Sequence, residues 1–193
     1  WDQDSVVNWF YLNGSDEMLF VIVFTLICIQ RLVELRIAKR NEQYMKQRGA
    51  IEFGQSHYPF IVALHILFLC SLLLEYLVKS PSLNVLWVLL LTLFFLLQIS
   101  RIWVIKSLGH FWNTKIIVLP NANLVKKGPY KWISHPNYVI VALEILVIPL
   151  IFQAYFTAVI FTILNMVMML VRIPAEEAAL KSIDHEEGNL EHL

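Results

Sequence analysis

Cysteine, glycine and net charge are all scarce in this chain, and each scarcity removes a class of function. The two cysteines, Cys28 and Cys70, fall inside apolar runs and form no Cys-x-x-Cys pair, which argues against a membrane thiol oxidoreductase and marks both as small core residues. Only six glycines are present, and no Gly-x-Gly-x-x-Gly follows a candidate strand, so the soluble cofactor-binding fold built on that turn is not encoded. The histidines are scattered: His57, His65, His110 and His135 share no ligand spacing, and no metal site is expected. Fifteen lysines and arginines balance fifteen aspartates and glutamates, and the basic residues sit in short loops, which argues against a nucleic-acid partner. The first 17 residues carry Asp2, Asp4, Asp16 and Glu17 but no basic residue, so no cleavable signal peptide is expected.

Hydrocarbon is abundant. The 193 residues are 58% hydrophobic with a mean hydropathy of +0.63, above the roughly 45 to 50% apolar content of soluble domains. Five apolar stretches, at 18–38, 58–78, 83–105, 138–152 and 155–173, predict an all-α polytopic membrane protein of about five transmembrane helices. The fourth is short and contains Glu144 and Pro149, which predicts a tilted, kinked or partly re-entrant helix. Arg36, Lys39, Arg40, Lys46 and Arg48 follow the first span, and Lys106, Lys115, Lys126, Lys127 and Lys131 lie between the third and fourth. The turn at 79–83 has only Lys79, and the turn at 153–155 has no basic residue. Positive loops stay inside, so a multi-pass protein of the cell membrane is expected, with its N-terminus outside and its C-terminus cytoplasmic.

Four segments are expected. Residues 1–17 form an extracytoplasmic segment or an added extension, and 18–105 the first three spans with a basic cytoplasmic loop. Residues 106–183 form a functional loop, a membrane hairpin and a C-terminal helix, and 184–193 a tail with the look of a vector junction at Leu190-Glu191-His192. The loop after the third span is too long for a plain connector and too aromatic for a solvated linker. Turns at Pro120-Asn121 and Gly128-Pro129 fold it back, so it is expected to cap the helices from the cytoplasmic side. Its aromatics, Trp112, Tyr130, Trp132 and Tyr138, equally suit an interfacial belt with lysines touching membrane lipid. Residues 39–57 read as a continuation of the first helix and then a turn at Gly49 and Gly54. Glu34, Glu42 and Glu52 are interleaved there with Arg31, Arg36, Arg40 and Arg48 as at a solvated helix end. His65, Glu75, Gln98, Arg101, Glu144 and Asn165 fall within or at the ends of spans, where an ionisable group is a functional candidate. Glu75 lies near the outer end, where it can snorkel. Glu144 either lines a cavity or is a protonated helix-packing group.

Two polar clusters stand about one membrane hairpin apart: Gly128-Pro129-Tyr130 running into Ser134-His135-Pro136-Asn137-Tyr138, and Arg172-Ile173-Pro174-Ala175-Glu176-Glu177. Residues 138–152 and 155–172 as helices cover about 22 to 27 Å each, nearly a bilayer core, so the hairpin brings both clusters to one membrane face. These motifs, over roughly 105–180, resemble the isoprenylcysteine carboxyl methyltransferase family of membrane enzymes. That family's pattern is Gly-x-Tyr, Arg-His-Pro-x-Tyr, a two-helix hairpin and Arg-[Ile/Val]-x-x-Glu-Glu. Ser134 stands here in place of the usual arginine. The stretches Gln30 to Leu35, Lys39-Arg40-Asn41, Arg48-Gly49-Ala50 and His57-Tyr58 are similar to a bacterial branch that includes alkylpyrone O-methyltransferases.

The resemblance implies an enzyme that uses S-adenosyl-L-methionine to O-methylate a lipophilic or lipidated acceptor, of alkylpyrone or prenylcysteine-carboxylate type. It implies that Gly128, Tyr130, His135, Pro136, Tyr138, Glu176 and Glu177 hold the cofactor. Such acceptors are already anionic near neutral pH, so a positive anchor matters more than a base, and the planar fork of Arg172 suits that role. Arg172 and Glu177 are the expected catalytic residues, and Arg172, Glu144, Trp112 and Asn137 the expected acceptor-binding ones. Pro174 is expected in the first turn of a separate cytoplasmic helix that carries both glutamates. Exposed helix faces leave room for a homo-oligomer. The rivals are a small transporter using Glu144 or Glu75, a haem or metal protein, and an NADPH-dependent membrane reductase, because sterol reductases resemble these methyltransferases in fold.

Overall fold

The computed structural model describes residues 3–79, 83–120, 122 and 125–190, and places side chains for 14–182 within those ranges. Parts of the 79–83 turn, of the Pro120-Asn121 turn and of both chain ends fall outside the described residues. Five helices follow in order, α1 (Gln3–Lys46), α2 (Tyr58–Lys79), α3 (Trp87–Leu108), α4 (Pro136–Ile151) and α5 (Tyr155–Leu190). Four of them are long and apolar enough to cross a membrane, and α4 is the shorter apolar fifth. Five apolar helices thus match the five apolar stretches, four of them long enough to span.

Helix α1 shows how lipid shapes the pattern. Phe20, Val23, Ile27, Glu34, Ala38, Asn41 and Met45 are buried at spacings of three, four and seven, a single stripe along one face. Val21, Ile22, Leu26, Ile29 and Leu32 on the other faces are exposed and equally apolar, as a bilayer solvent requires. The 16-residue α4 is the most enclosed element, with Ile140, Val141, Glu144, Ile145, Val147, Ile148 and Ile151 buried. It packs chiefly between α3 and α5. Its neighbours shield it from lipid, so it tolerates Pro149, whose missing N–H breaks the helix ladder near the C-terminal end. A tight turn then reverses the chain: Ala154 N–H donates to Pro149 O (2.9 Å), and Gln153 takes a left-handed φ of 51°.

The sequence reading missed a two-stranded antiparallel ribbon, β1 (Ile51–Phe53) with β2 (Ile116–Val118), in register Glu52 with Ile117. Three residues per strand are too few to show a period. The ribbon joins the α1–α2 connection to the α3–α4 segment, and both of its strands pack near α5, so these parts gather at one end of the bundle. Lys115 reinforces it by pairing with Glu42 (2.9 Å) and Glu52 (3.1 Å). Hydrogen bonding from Lys46 is the largest influence on the Glu52 carboxyl and holds it below its ordinary range.

Several expectations are corrected. Arg31 and Glu34 do not form a solvated helix end. With Arg101 and Glu144, which is 1% exposed, they make a four-charge cluster inside the bundle. Arg101 Nε donates to Glu144 Oε1 (2.9 Å) and Nη1 to both Glu34 oxygens (3.1 Å each), while Nη2 pairs with Glu144 Oε2. Arg31 bridges the same carboxylates at 2.8 and 2.9 Å, and Gln98 Nε2 donates to Glu144 Oε1 at 3.0 Å. Sequence spacing could not reveal this, because the partners lie on α1, α3 and α4. Glu75 does not snorkel. It accepts from the backbone N–H groups of Phe156 (3.1 Å) and Thr157 (2.8 Å), capping α5 where the helix dipole is positive. Cys70 is exposed on the bundle surface and Cys28 is half-buried, so neither is a core residue. No separate cytoplasmic helix begins at Pro174, because α5 continues through it.

Removing one partner of a buried ion pair strands the other charge, at a cost of about 3 to 5 kcal/mol. Glu144→Leu should therefore lower the melting temperature of the detergent-purified protein far more than Gln98→Leu, which removes one neutral donor worth about 1 kcal/mol. Equal melting temperatures in the two variants would contradict a structural role for the cluster.

Candidate functional site

The hairpin of α4 and α5 brings the two polar clusters together. The continuity of α5 through Pro174 places Arg172 and Glu176 four residues apart on one helix face, and the N-terminal turn of α4 presents Tyr138 between them. Arg172 Nε donates to the Tyr138 hydroxyl (2.7 Å), that hydroxyl donates to Glu176 Oε2, and Arg172 Nη2 donates to the backbone carbonyl of Thr114. His135 stacks on the Tyr138 ring (centroids 5.4 Å apart, 19° between planes), and its Nε2 lies 3.4 Å from Glu177 Oε1. One chain of contacts thus links both clusters to the loop before β2.

These groups face a cavity of about 440 Å³. Of the site residues expected from the sequence, Trp112, Tyr130, His135, Asn137, Tyr138, Arg172, Glu176 and Glu177 line it, and Ser134 lies on its edge. Three do not. Glu144 is held in the ion cluster and is absent from the cavity wall. Gly128 serves packing: at φ +55° it brings the 3-10 turn Gly128–Lys131 onto α3, and a Cβ there would stand 2.2 Å from Ser107 Oγ. Pro136 is the buried first residue of α4, where its fixed φ suits helix initiation.

Charge is unevenly distributed around the cavity. Arg172 is buried, yet among the described residues no carboxylate lies within 4.0 Å of its guanidinium, because Glu176 reaches it only through the Tyr138 hydroxyl. Glu177, by contrast, is half-exposed. Burial, aided by the charge of Glu176, pushes the Tyr130 hydroxyl above its ordinary pKa and keeps it a neutral donor.

The sequence reading gave no site role to several residues that build the cavity. Lys115 and Lys126 line it. Asn41 pins the loop behind it, donating from Nδ2 to the carbonyls of Gly109 (3.1 Å) and Trp112 (2.7 Å), and Asn113 Nδ2 donates to Ala38 O (3.2 Å). Asn41 shares the buried stripe of α1 with Ala38 and Met45, and a polar residue on that stripe was the available signal. Thr114 acts through its backbone carbonyl, which no side-chain pattern reveals.

The isoprenylcysteine carboxyl methyltransferase (ICMT) family description matches residues 88–182, which span α3, both halves of the site and the hairpin. YpbQ of Bacillus subtilis (strain 168), whose function is uncharacterised, is 48% identical over 163 residues, covering 84% of this chain and 97% of that protein. An uncharacterised protein of Haemophilus influenzae is 27% identical over 168 residues, covering 86% of this chain and 98% of its own length. No solved structure matches the chain. The matched span coincides with the Tyr138–Arg172–Glu176 constellation and the hairpin that assembles it, and the chain belongs to the isoprenylcysteine carboxyl methyltransferase family.

Proposed function

We propose that the chain is an integral membrane O-methyltransferase that moves a methyl group from S-adenosylmethionine to an oxyanion on a lipophilic acceptor. The observation that carries this reading is the buried Arg172 guanidinium, which has no direct carboxylate partner among the described residues and opens on the same cavity as Glu176 and Glu177. A buried cation without a paired anion is costly, and an anionic acceptor relieves the cost. A cavity of about 440 Å³ falls within the usual size of a small-molecule site. Its donor set suits the cofactor, because carboxylates accept from hydroxyl or ammonium groups and balance a sulfonium charge.

S-adenosylmethionine, when bound, supplies an electrophilic methyl carbon on a sulfonium. Glu176, Glu177, His135 and Tyr138 would hold it, and Tyr130 contributes a neutral hydroxyl. Arg172 would hold the acceptor oxygen. Nε and Nη2 are already committed to Tyr138 and Thr114, which fixes the plane of the fork. Orientation of two reactants at about 3 to 3.5 Å contributes on the order of 7 to 11 kcal/mol to such a displacement. No general base is needed, because the acceptor arrives as an anion. The acceptor class is a long-chain hydroxypyrone or a lipidated carboxylate. The relatives come from bacteria, which generally lack CaaX prenylation, and this favours the hydroxypyrone. The basic loops support a cytoplasmic location for this end of the bundle, with the N-terminus outside.

Both carboxylates that a transporter would use are engaged, Glu144 by Arg101, Arg31 and Gln98 and Glu75 by the amides of Phe156 and Thr157. Calorimetry on the detergent-purified protein should detect S-adenosylhomocysteine binding that Glu177→Ala and Glu176→Gln each weaken at least about tenfold. A folded parent that binds no S-adenosylhomocysteine would refute the assignment. Arg172→Ala should leave a folded protein whose methylation of a long-chain 4-hydroxy-2-pyrone falls at least about 100-fold, the loss expected when a charged hydrogen-bonding anchor is removed. Full turnover in that variant would remove the anchor role.

A further inference from the structure

Two polar atoms at the cavity wall have no partner: Trp112 Nε1, on a residue 3% exposed, and Asn137 Oδ1. Leaving a buried donor or acceptor unpaired is costly, and native structures seldom tolerate it without a use. The two belong to segments that one side chain ties together. Arg172 bonds Thr114, two residues after Trp112, and Tyr138, the residue after Asn137. The loop carrying Trp112 is held by Asn41, and Trp112 and Asn137 both line the cavity.

We infer that Trp112 and Asn137 read the adenine base of the cofactor, the indole N–H donating to a ring nitrogen and the Asn137 carboxamide oxygen accepting from the exocyclic amino group. This rests on the methyltransferase reading and reassigns two residues expected at the acceptor. The orphan pair is one donor and one acceptor, and adenine presents an acceptor nitrogen beside an amino donor on either edge. An oxyanion acceptor offers lone pairs only and would meet the Asn137 oxygen with repulsion. The amino-acid end of the cofactor carries full charges, which suit Glu176, Glu177 and Lys115 rather than a neutral indole. Leu108, Phe111 and Ile116 line the same cavity and supply apolar surface for a base.

The test is calorimetric titration of the whole protein in detergent with S-adenosylhomocysteine and with S-inosylhomocysteine, whose base carries a carbonyl oxygen in place of the amino group. The parent should prefer the adenosyl compound at least about tenfold, because the inosyl base leaves the Asn137 oxygen unpaired. Trp112→Phe and Asn137→Leu should each weaken the adenosyl compound about tenfold, and Asn137→Leu should bring the two ligands to within about threefold of each other. No preference in the parent, or parental affinity and preference in both variants, overturns the inference. If those variants bind as the parent does while Glu177→Ala loses binding, the methyltransferase reading survives and only the assignment to the base fails. Absence of binding to either compound in a folded parent overturns both.

Discussion

Everything at the functional end of this molecule is referred to the position of α4, and α4 is placed by a net-neutral cluster of four charges. Two carboxylates and two guanidiniums from α1, α3 and α4 satisfy one another inside the bundle, at distances near 3 Å. An apolar seam between helices in lipid has little driving force of its own, because lipid tails are as apolar as leucine. Directional charge pairing therefore specifies a register that hydrocarbon contact leaves loose. It sets the height of α4 against α1 and α3, and with it the height of His135, Asn137 and Tyr138 one to three turns away along the chain.

The second half of the site depends on α5 being one rod. A helix broken at Pro174 would let Glu176 and Glu177 swing independently of Arg172. Because α5 runs on, the i to i+4 relation is kept, and Tyr138 can bond Arg172 and Glu176 at once. Glu75 anchors the opposite end of the same rod through its N-terminal amides. The buried carboxylate of α2 thus holds the start of the element whose later turns carry the site carboxylates.

What was legible in the sequence follows from which forces act locally. Span positions, the hairpin and the meeting of the two polar clusters come from apolar run length and helical rise, both properties of contiguous residues. Arg172, Tyr138, Glu176 and Glu177 stood out because polar groups beside long hydrocarbon runs are rare. The roles of Arg31, Glu34 and Glu144 were misjudged because each depends on a partner far away in the chain, for instance 113 residues between Arg31 and Glu144. Gly128 belonged to the motif yet proved to be a packing contact with Ser107, a distinction that only a Cβ-to-Oγ distance makes. The Thr114 carbonyl was illegible because it is backbone, and Asn41, although a polar residue on an apolar stripe, works on backbone about 70 residues away.

The shortness of α4 sets a depth. At 16 residues it spans about 24 Å, some 6 Å less than a typical hydrocarbon core, while α2 and α3 span about 33 Å each. If the 152–154 turn sits at one membrane surface, the first turn of α4 begins about 6 Å short of the other, near the level of an amphiphile's own polar head. On the proposed function, an acceptor anchored by its tail would reach the guanidinium of Arg172 by lateral diffusion within one leaflet, without extraction into water. For such an acceptor, chain length and head position along the membrane normal would be the quantities measured, and the working concentration would be one per unit area of membrane.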